Sequence, residues 1–322
     1  MWHTHTHTYI HTHADDSYKP TGVSQGSVCR PILFSLYVSP IAEIASSYNL
    51  AQQQYADDTQ LYVEVTCLNL PFNIQQLEQC LADLHTLFYL NGLTLNPDKS
   101  ETIIFGTRQS ALTLPSLNNI DVASCKVPIS SQVKILGVTL DSTLSLNRHV
   151  TTLSKACYLH IRALWYIRNA LTDDSAKSIA CTLIGSRLDY ANALFISASA
   201  SNITKLQQIQ NTLARIVTCQ RGWTGTSQSL ATLHWLPVKW RVDFKVATIS
   251  YKLFSTGQPS NLANSISKYV PSRSLRSTGE GTLSVPRTKT VIGAHAFWSA
   301  APFIWNRLPY DIRNSSYIPQ QT

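Results

Sequence analysis

Two adjacent carboxylates, Asp57 and Asp58, have the clearest chemical potential in this 322-residue chain. They lie within residues 51–65, which read AQQQYADDTQLYVEV. Strand-like pieces flank the acids, and apolar residues alternate with polar ones from Leu61 to Val65, the two-residue period of a half-buried strand. The pattern predicts a β-hairpin that carries both acids at its tip.

Paired carboxylates at a hairpin tip suit Mg²⁺, a hard cation that prefers oxygen ligands and keeps several waters. Two such ions held close together can activate a 3′-hydroxyl and stabilise a leaving pyrophosphate. Because side chains alternate along a strand, Asp57 and Asp58 are not expected to face the same way, so one is predicted as the main ligand and the other as support. An isolated Asp-Asp pair is more often a solvated turn, so the neighbouring elements and motifs decide the interpretation.

The elements around the hairpin have recognisable patterns. Residues 31–47 combine an apolar stripe with an initial Pro and predict a helix kinked at Pro40. A helix of about twenty residues is predicted after the hairpin, beginning at Pro71 and ending at Asn91 and Gly92. Its apolar stripe consists of Ile74, Leu77, Leu81, Leu84 and Phe88. Two further strand candidates follow, at residues 102–105 and 133–140.

The pattern becomes helical after residue 146. Candidate helices cover residues 147–170, 173–196, 202–219, 237–256 and 293–307. Thr172 is a plausible N-cap, and the third helix has a buried stripe consisting of Ile203, Leu206, Ile209, Leu213 and Ile216. Residues 258–290 are rich in Ser, Pro, Gly and Arg and predict a long basic loop. The expected fold class is α+β, an α+β unit followed by a basic helical unit.

The balance of acidic and basic residues also changes near residue 150. Residues 1–150 carry 7 Lys and Arg against 12 Asp and Glu, whereas residues 151–322 carry 19 against 6. The basic half suits a polyanionic partner, either nucleic acid or a membrane surface, although a basic face that only aids solubility has the same composition. The absence of a long apolar run and of a signal pattern predicts an intracellular protein in the nucleus or cytoplasm, with no membrane association. Seven scattered cysteines without a C-x-x-C pair predict reduced thiols.

The first twenty residues are of low complexity and alternate His with Thr. They have no apolar face, so a disordered tail is the main expectation, with a metal-binding His tract as the alternative. A repeated CA dinucleotide encodes the same alternation, so translated simple-sequence DNA would also produce it.

Several motifs occur in an order that resembles the reverse transcriptases of LINE-type (non-LTR) retrotransposons. Residues 22–27 (Gly-Val-Ser-Gln-Gly-Ser) and 55–58 (Tyr-Ala-Asp-Asp) are similar to two successive family motifs. Residues 96–101 and 133–141 resemble the next two blocks. Residues 233–238, 273–277, 285–287 and 301–309 look like the tail of the jockey and chicken-repeat type of element. The resemblance covers residues 22–312.

The resemblance implies a role for each matching residue. Asp57 and Asp58 would bind catalytic Mg²⁺ or Mn²⁺, while Gln25 and Gly26 would lie against the incoming nucleotide and template. Lys99 would lie near the triphosphate, although a turn lysine is an equally good interpretation. Leu136 and Gly137 would help form the primer grip. Trp223, Trp235 and Trp240 are predicted mainly as core residues, with base stacking as the alternative.

The same resemblance implies partners and domains. The partners would be an RNA template, a DNA primer or duplex and deoxynucleoside triphosphates, and no stable protein partner is expected. The predicted domains are a tail at residues 1–20, a partial polymerase palm at 21–145, a basic α-helical thumb at 146–256, and a basic loop with a C-terminal helix at 257–322.

Three features depart from the family pattern. Ser24 replaces a usual Pro, and Arg30 replaces a Gly before Pro31. A polymerase palm also needs a third carboxylate on an upstream strand, and Asp15 and Asp16 are not accepted for that role because no apolar strand surrounds them.

The chain is therefore expected to be an N-terminally truncated fragment of an RNA-directed DNA polymerase that is inactive alone. Two alternatives stay open. One is a non-catalytic nucleic-acid-binding protein built on the basic half, and the other is the non-functional product of a decayed element, which the simple-sequence start would suit.

Overall fold

The computed structural model describes residues 4–13, 28–107, 109, 117–220, 225–270, 281–288, 293–294 and 296–313. The backbone of residues 4–13 is described without their side chains. The chain divides into two compact units, residues 1–144 and 145–322. No helix in the described ranges is both long enough and apolar enough to span a bilayer.

The first unit is built on a six-stranded sheet with the order β2-β3-β1-β4-β6-β5. Its strands are β1 (Thr4–His13), β2 (Ala51–Tyr55), β3 (Asp58–Val65), β4 (Thr94–Phe105), β5 (Asn119–Val122) and β6 (Cys125–Ser130). β4 and β6 pair in parallel, and the other neighbours are antiparallel. The hairpin that carries the Asp pair therefore forms one edge of the sheet.

Three helices, α1 (Arg30–Tyr37), α2 (Pro40–Ser47) and α3 (Leu70–Leu90), belong to the same unit. All five predicted stripe residues of α3 are buried, and they form one core with residues of α2 and of the sheet. Asn91 ends α3, and Gly92 follows with a φ of +73°. This confirms the predicted helix and its end signal.

Pro40 separates two helices where a single kinked helix was predicted. α1 ends at Tyr37, and Pro40 stands at the start of α2. Because proline has no N–H to donate to the preceding turn, it is better placed in the first turn of a new helix than inside a long one.

The prediction of a disordered tail is wrong for residues 4–13. They form β1, which pairs with β3 on one side and β4 on the other. Threonine is β-branched and favours extended backbone, and a strand inserted between two others satisfies the backbone hydrogen bonds of all three. Strand pairing, which local composition does not reveal, overrides the low complexity of the segment.

Residues 133–140, predicted as one strand, form a two-stranded hairpin. β7 (Gln132–Ile135) pairs with β8 (Val138–Asp141) across a turn at Leu136 and Gly137. Val133 packs with Ile103 and Phe105 of β4 in a small apolar cluster. The Lys134 N–H donates to Glu101 Oε2 over 3.2 Å, which also ties the hairpin to β4.

The second unit is helical. Its helices are α4 (Asn147–Ile167), α5 (Asp173–Ala180), α6 (Ser186–Asp189), α7 (Ala200–Val217), α8 (Thr226–Thr232), α9 (Val238–Thr256), α10 (Ser260–Ala263), α11 (Phe297–Asn306) and α12 (Tyr310–Arg313). The predicted helix 173–196 is divided among α5, a π-helical segment (Cys181–Gly185), α6 and a 3₁₀ segment (Asn192–Ser197). Thr172 caps α5 as predicted, because its side chain accepts a hydrogen bond from Ser175 N–H.

Side chains of α7 are buried in the second unit, and two of them hydrogen-bond to the segment before α9. Leu206, Ile209 and Leu213 of the predicted stripe are buried, whereas Ile203 and Ile216 are half-buried. Gln210 donates to Leu236 O over 2.8 Å, and Gln207 Oε1 accepts from Val238 N–H over 2.9 Å. These two bonds anchor the segment that leads into α9.

A second core joins α9 to α11. It contains Val246 and Leu253 of α9 and Trp305 of α11. Trp305 Nε1 donates to Gly281 O over 2.8 Å, and Asn306 exchanges hydrogen bonds with the backbone of Leu283. The short segment 281–288 is thereby held against α11.

Candidate active site

The Asp pair lies at the turn of the β2–β3 hairpin, as the sequence predicted. Asp57 is in the two-residue turn and is exposed, while Asp58 is the half-buried first residue of β3. Ala56, the other turn residue, adopts a φ of +53°, and Gln54 Nε2 donates to its carbonyl oxygen over 3.3 Å. The two carboxylates therefore occupy different backbone environments at one sheet end.

The alternation of β3 orients the hairpin. Thr59, Leu61 and Val65 are buried, and Leu61 and Val65 belong to the core shared with α3. Asp58 belongs to the opposite face of the strand, where side chains are half-buried or exposed. At the far end of β3, Asn73 of α3 donates to Glu64 O over 2.7 Å and fixes the strand to the helix.

β1 places a row of histidines beside this hairpin. Its register partners are His11 with Asp58, Tyr9 with Gln60 and His5 with Glu64. The sequence analysis missed this juxtaposition, because the pairing partner of a strand is a tertiary property. The available signal was the strict alternation of His with Thr, which has the two-residue period of a strand.

β4 brings Lys99 to the same end of the sheet. Asn96 is the β4 register partner of His11, and the register then shifts so that Glu101 opposes Tyr9. Inside this bulge, Asn96 Oδ1 accepts hydrogen bonds from the N–H groups of Asp98 and Lys99, over 3.0 and 3.3 Å. The exposed Lys99 lies on the strand two positions from β3, about 10 Å away at ordinary strand spacing.

Leu136 and Gly137, predicted for the primer grip, are the turn residues of the β7–β8 hairpin. Their φ angles are +44° and +82°, both in the left-handed region. Two positive φ angles match the twist of a tight antiparallel hairpin, and glycine takes its position without steric cost. The Leu136 side chain is 38% exposed at this tip.

Gln25, Gly26 and Ser24 lie outside the described residues, as do Asp15 and Asp16. The predicted contact of Gln25 and Gly26 with nucleotide and template therefore stays a prediction. Arg30 begins α1, for which the backbone is described.

The donor chemistry at the hairpin suits a hard divalent cation. Asp57 and Asp58 offer carboxylate oxygens at a partly exposed tip, which leaves room for waters and phosphates. Among the described side chains, no group of three or more His, Cys, Asp or Glu residues is placed to hold a metal. Within that part of the chain, the hairpin therefore offers two adjacent carboxylates and no third metal-ligating side chain grouped with them.

The second unit presents a basic and aromatic surface on α4. Tyr158, Trp165 and Tyr166 are 43%, 60% and 64% exposed, and the Arg162 guanidinium lies 5.8 Å from the Tyr166 ring centroid. A shallow groove between α4 and α7 is lined by Thr151, Ser154, Lys155, Tyr158, Lys205 and Gln208. Such cationic and aromatic groups can contact phosphates and stack on bases.

The three tryptophans named from the sequence differ in their environments. Trp240 is 55% exposed, so its predicted core position is wrong. Trp235 is half-buried, and Trp223 lies outside the described residues. Trp165, which the sequence analysis did not single out, is exposed on the α4 surface.

The first unit matches a known family. Residues 2–140 match the reverse transcriptase (RNA-dependent DNA polymerase) family, a range that includes β1 and the Asp57–Asp58 hairpin. The resemblance proposed from the sequence began at residue 22, so the family match extends it across the His-Thr strand.

Curated relatives that are RNA-directed DNA polymerases match the chain over more residues than the family does. The chain is 26% identical over 207 residues to the probable RNA-directed DNA polymerase from transposon BS of Drosophila melanogaster, covering 61% of the chain and 22% of that protein. It is 27% identical over 212 residues to the RNA-directed DNA polymerase from the mobile element jockey of the same species, covering 62% and 22%. The polymerase of the Drosophila X-element is 24% identical over 203 residues, covering 61% and 22%. The chain spans about a fifth of the length of the curated relatives it matches.

Proposed function

We propose that the chain is part of an RNA-directed DNA polymerase of a non-LTR retrotransposon and that it supplies the metal-binding hairpin of the nucleotidyl-transfer site, because residues 2–140 match the reverse transcriptase family and the chain is similar to part of such polymerases from Drosophila mobile elements. The observation that carries the proposal is the position of Asp57 and Asp58 at the turn of a sheet-edge hairpin inside the range that matches the family. In this proposal the first unit is part of the polymerase palm and the second unit corresponds to the thumb.

Asp57 and Asp58 hold Mg²⁺ or Mn²⁺ in this proposal, with water and nucleotide phosphates as the remaining ligands. A metal held by these two carboxylates would supply Lewis-acid chemistry for the primer 3′-hydroxyl and for the departing pyrophosphate. Lys99 is the cation that approaches the triphosphate from the β4 bulge. Gln25 and Gly26 contact the nucleotide and template, and the Leu136–Gly137 turn contacts the primer strand.

The nucleic acid is an RNA template paired with a DNA primer. The α4 surface supports a nucleic-acid partner, because Lys155 and Lys205 line its groove and exposed aromatic rings lie on the same helix. Phosphate contacts of this kind bind without sequence preference and weaken as salt rises. The same surface also supports the second candidate function, a nucleic-acid-binding protein that does no chemistry.

Activity of the chain alone should be very low. The described residues provide two carboxylates at the hairpin, whereas the two-metal chemistry of this family needs a third. Losing a single ligand from such a site costs orders of magnitude in rate. The chain therefore binds substrates in a metal-dependent manner but extends a primer very slowly.

Ternary-complex formation tests the proposal. A labelled DNA primer annealed to an RNA template is bound to the chain, and the affinity is compared with and without Mg²⁺ and the next complementary deoxynucleotide. The nucleotide should tighten binding in the unaltered chain and in Asp83→Asn, a carboxylate variant on α3, but not in an Asp57→Asn, Asp58→Asn double variant. A nucleotide effect that persists in the double variant contradicts the assignment. If the nucleotide tightens binding in neither the unaltered chain nor the double variant, only the second candidate function is left.

A further inference from the structure

One face of α4 combines basic and aromatic side chains. Its exposed members are Lys155, Tyr158, Arg162, Trp165 and Tyr166. They follow one another at intervals of three and four residues, with Trp165 and Tyr166 both about one turn beyond Arg162, and this spacing places side chains on one side of a helix. The other side of α4 is buried and contains Cys157, Ile161 and Leu164.

Trp165 and Tyr166 form the aromatic end of this face. Their rings meet edge to face, with centroids 5.1 Å apart and an interplanar angle of 65°. Arg162 Nη2 donates to the Tyr166 hydroxyl oxygen over 3.4 Å. These contacts orient both rings while most of their surface stays open to solvent. Exposed aromatic surface of this size is typical of a binding site.

The charge of α4 indicates a polyanionic partner. Arg148, Lys155 and Arg162 recur every seven residues, about 10.5 Å along a helix, and the sequence of α4 contains no Asp or Glu. Lys205 of α7 adds a cation across the groove. A row of cations beside aromatic rings is complementary to nucleic acid, which presents phosphates and base faces together.

The aromatic pair distinguishes an unpaired strand from a duplex. In a duplex, neighbouring base pairs cover the base faces, and the major groove of an A-form helix is too deep and narrow for side chains to read. The bases of an unpaired strand can instead stack on aromatic side chains. Lys155 and Lys205 suit either form, since both carry phosphates, whereas Trp165 and Tyr166 find stacking partners only on an unpaired strand.

We propose that this face of α4 binds an unpaired RNA strand, with Lys155 and Lys205 on its phosphates and the rings of Trp165 and Tyr166 stacked on its bases. The inference rests on the nucleic-acid partner of the proposed function, but not on metal binding at the β2–β3 hairpin. From Lys155 to Tyr166 the face is about 16.5 Å long, which corresponds to roughly five nucleotides at about 3.4 Å each.

Neutral polar side chains of the groove favour RNA over DNA. Thr151, Ser154 and Gln208 line the groove together with the two lysines. The 2′-hydroxyl of RNA both donates and accepts hydrogen bonds, and DNA lacks it. Hydroxyl and amide groups beside the phosphate contacts therefore suit a ribose.

The test measures fluorescence anisotropy of three labelled ligands with the full chain, in the absence of divalent metal and nucleotide. The ligands are a short oligouridylate, the corresponding oligodeoxyuridylate and a blunt RNA–DNA duplex. A Trp165→Ala, Tyr166→Ala double variant should bind the oligouridylate at least about tenfold more weakly and the duplex within about twofold of the unaltered chain. Trp240→Ala together with Phe244→Ala removes an exposed aromatic pair from α9 and should change neither affinity.

Trp165→Phe together with Tyr166→Phe guards against loss of folding. It keeps two stacking rings and should retain oligouridylate affinity to within about threefold. Equal loss in the Phe and Ala double variants, with unchanged far-UV circular dichroism, overturns the stacking role. Unchanged oligouridylate binding by the Ala variant, or no such binding by the unaltered chain, overturns the site.

The choice of strand is tested by the other two ligands. The oligouridylate should bind at least about threefold more tightly than the oligodeoxyuridylate, and equal affinities overturn the assignment to RNA. An equal loss of duplex and oligouridylate binding in the Ala variant overturns the preference for an unpaired strand. The nucleotide effect at Asp57 and Asp58 is measured separately, so either proposal can fail while the other stands.

Discussion

Asp58 and His11 lie directly opposite each other, in register across β3 and β1. The pairing joins the acidic hairpin to a segment whose composition suggested no structure. It also extends one sheet from Ala51 of β2 to the β4 bulge that carries Lys99. The candidate site is therefore an end of a sheet, assembled from strands that are far apart in sequence.

The tip of the β2–β3 hairpin should be sensitive to the shape of residue 56. Ala56 has a φ of +53°, a conformation that costs an L-residue roughly 1–2 kcal/mol and costs glycine little. Ala56→Gly should therefore retain or raise the free energy of unfolding, and Ala56→Val should lower it, because a β-branched residue is strained further there. Urea unfolding of the chain measures both. A destabilised glycine variant would contradict this account of the turn.

The α4–α7 groove should carry phosphate contacts. Replacing Lys155 and Lys205 together by glutamine should weaken binding of an RNA–DNA duplex and reduce the slope of log affinity against log salt by about 2, one unit per lysine. Lys252→Gln, together with Lys268→Gln, removes the same charge elsewhere in the unit and serves as the control. An equal change in both double variants would show a diffuse charge effect in place of a groove.

Much of the fold could be predicted where local period and turn chemistry agree. The hairpin at Asp57 and the stripe of α3 are of that kind. The turn at Leu136 was missed because residues 133–140 (VKILGVTL) are rich in β-branched and apolar residues and read as one strand, and one residue with positive φ is a leucine. β1 was missed because its stability depends on two flanking strands, and no local pattern reports a pairing partner.

Arg168 should be essential to the stability of the second unit. This buried residue donates to the carbonyl oxygens of Leu171, Ile216 and Val217 over 2.7–3.2 Å, and it also pairs with Asp173. Removing it leaves the last carbonyls of α7 without these donors, so Arg168→Ala should cost about 2–4 kcal/mol of unfolding free energy.

The ion pair itself should contribute little. Asp173 has a side chain that is 91% exposed, so Asp173→Ala should cost at most about 1 kcal/mol. Thermal or urea unfolding distinguishes the two variants. Equal losses would mean that the Arg168–Asp173 pair, and not the capping of α7, is the main contribution of this arginine.

Mild acid should weaken the second unit through His149. Burial lowers the pKa of this imidazole, whose ring stacks on Phe195 with a centroid separation of 5.9 Å. A lowered pKa in the folded state means that the stabilisation is fully present above the unfolded pKa of about 6.5 and is lost as pH falls below it. Burial raises the pKa of the Asp189 carboxyl, so protonation of that group on acidification favours the folded state, which is opposite in sign to the effect of His149.

The check is a comparison of melting temperatures at pH 7.5 and 5.5. His149→Phe keeps an aromatic ring against Phe195 and removes the titration, so its melting temperature should fall less on acidification than that of the unaltered chain. His160→Gln, on the same helix, should behave like the unaltered chain. An unchanged pH response in His149→Phe would exclude His149 as its origin.

Titration with Mn²⁺, followed by electron paramagnetic resonance, tests most directly whether the Asp57–Asp58 hairpin binds the catalytic metal. The full chain should bind Mn²⁺ in the presence of a deoxynucleotide, and the Asp57→Asn, Asp58→Asn double variant should lose that binding. Asp83→Asn should retain it, since this carboxylate lies on α3 and accepts a hydrogen bond from Tyr48. Equal Mn²⁺ binding by the double variant and the unaltered chain would contradict the central claim.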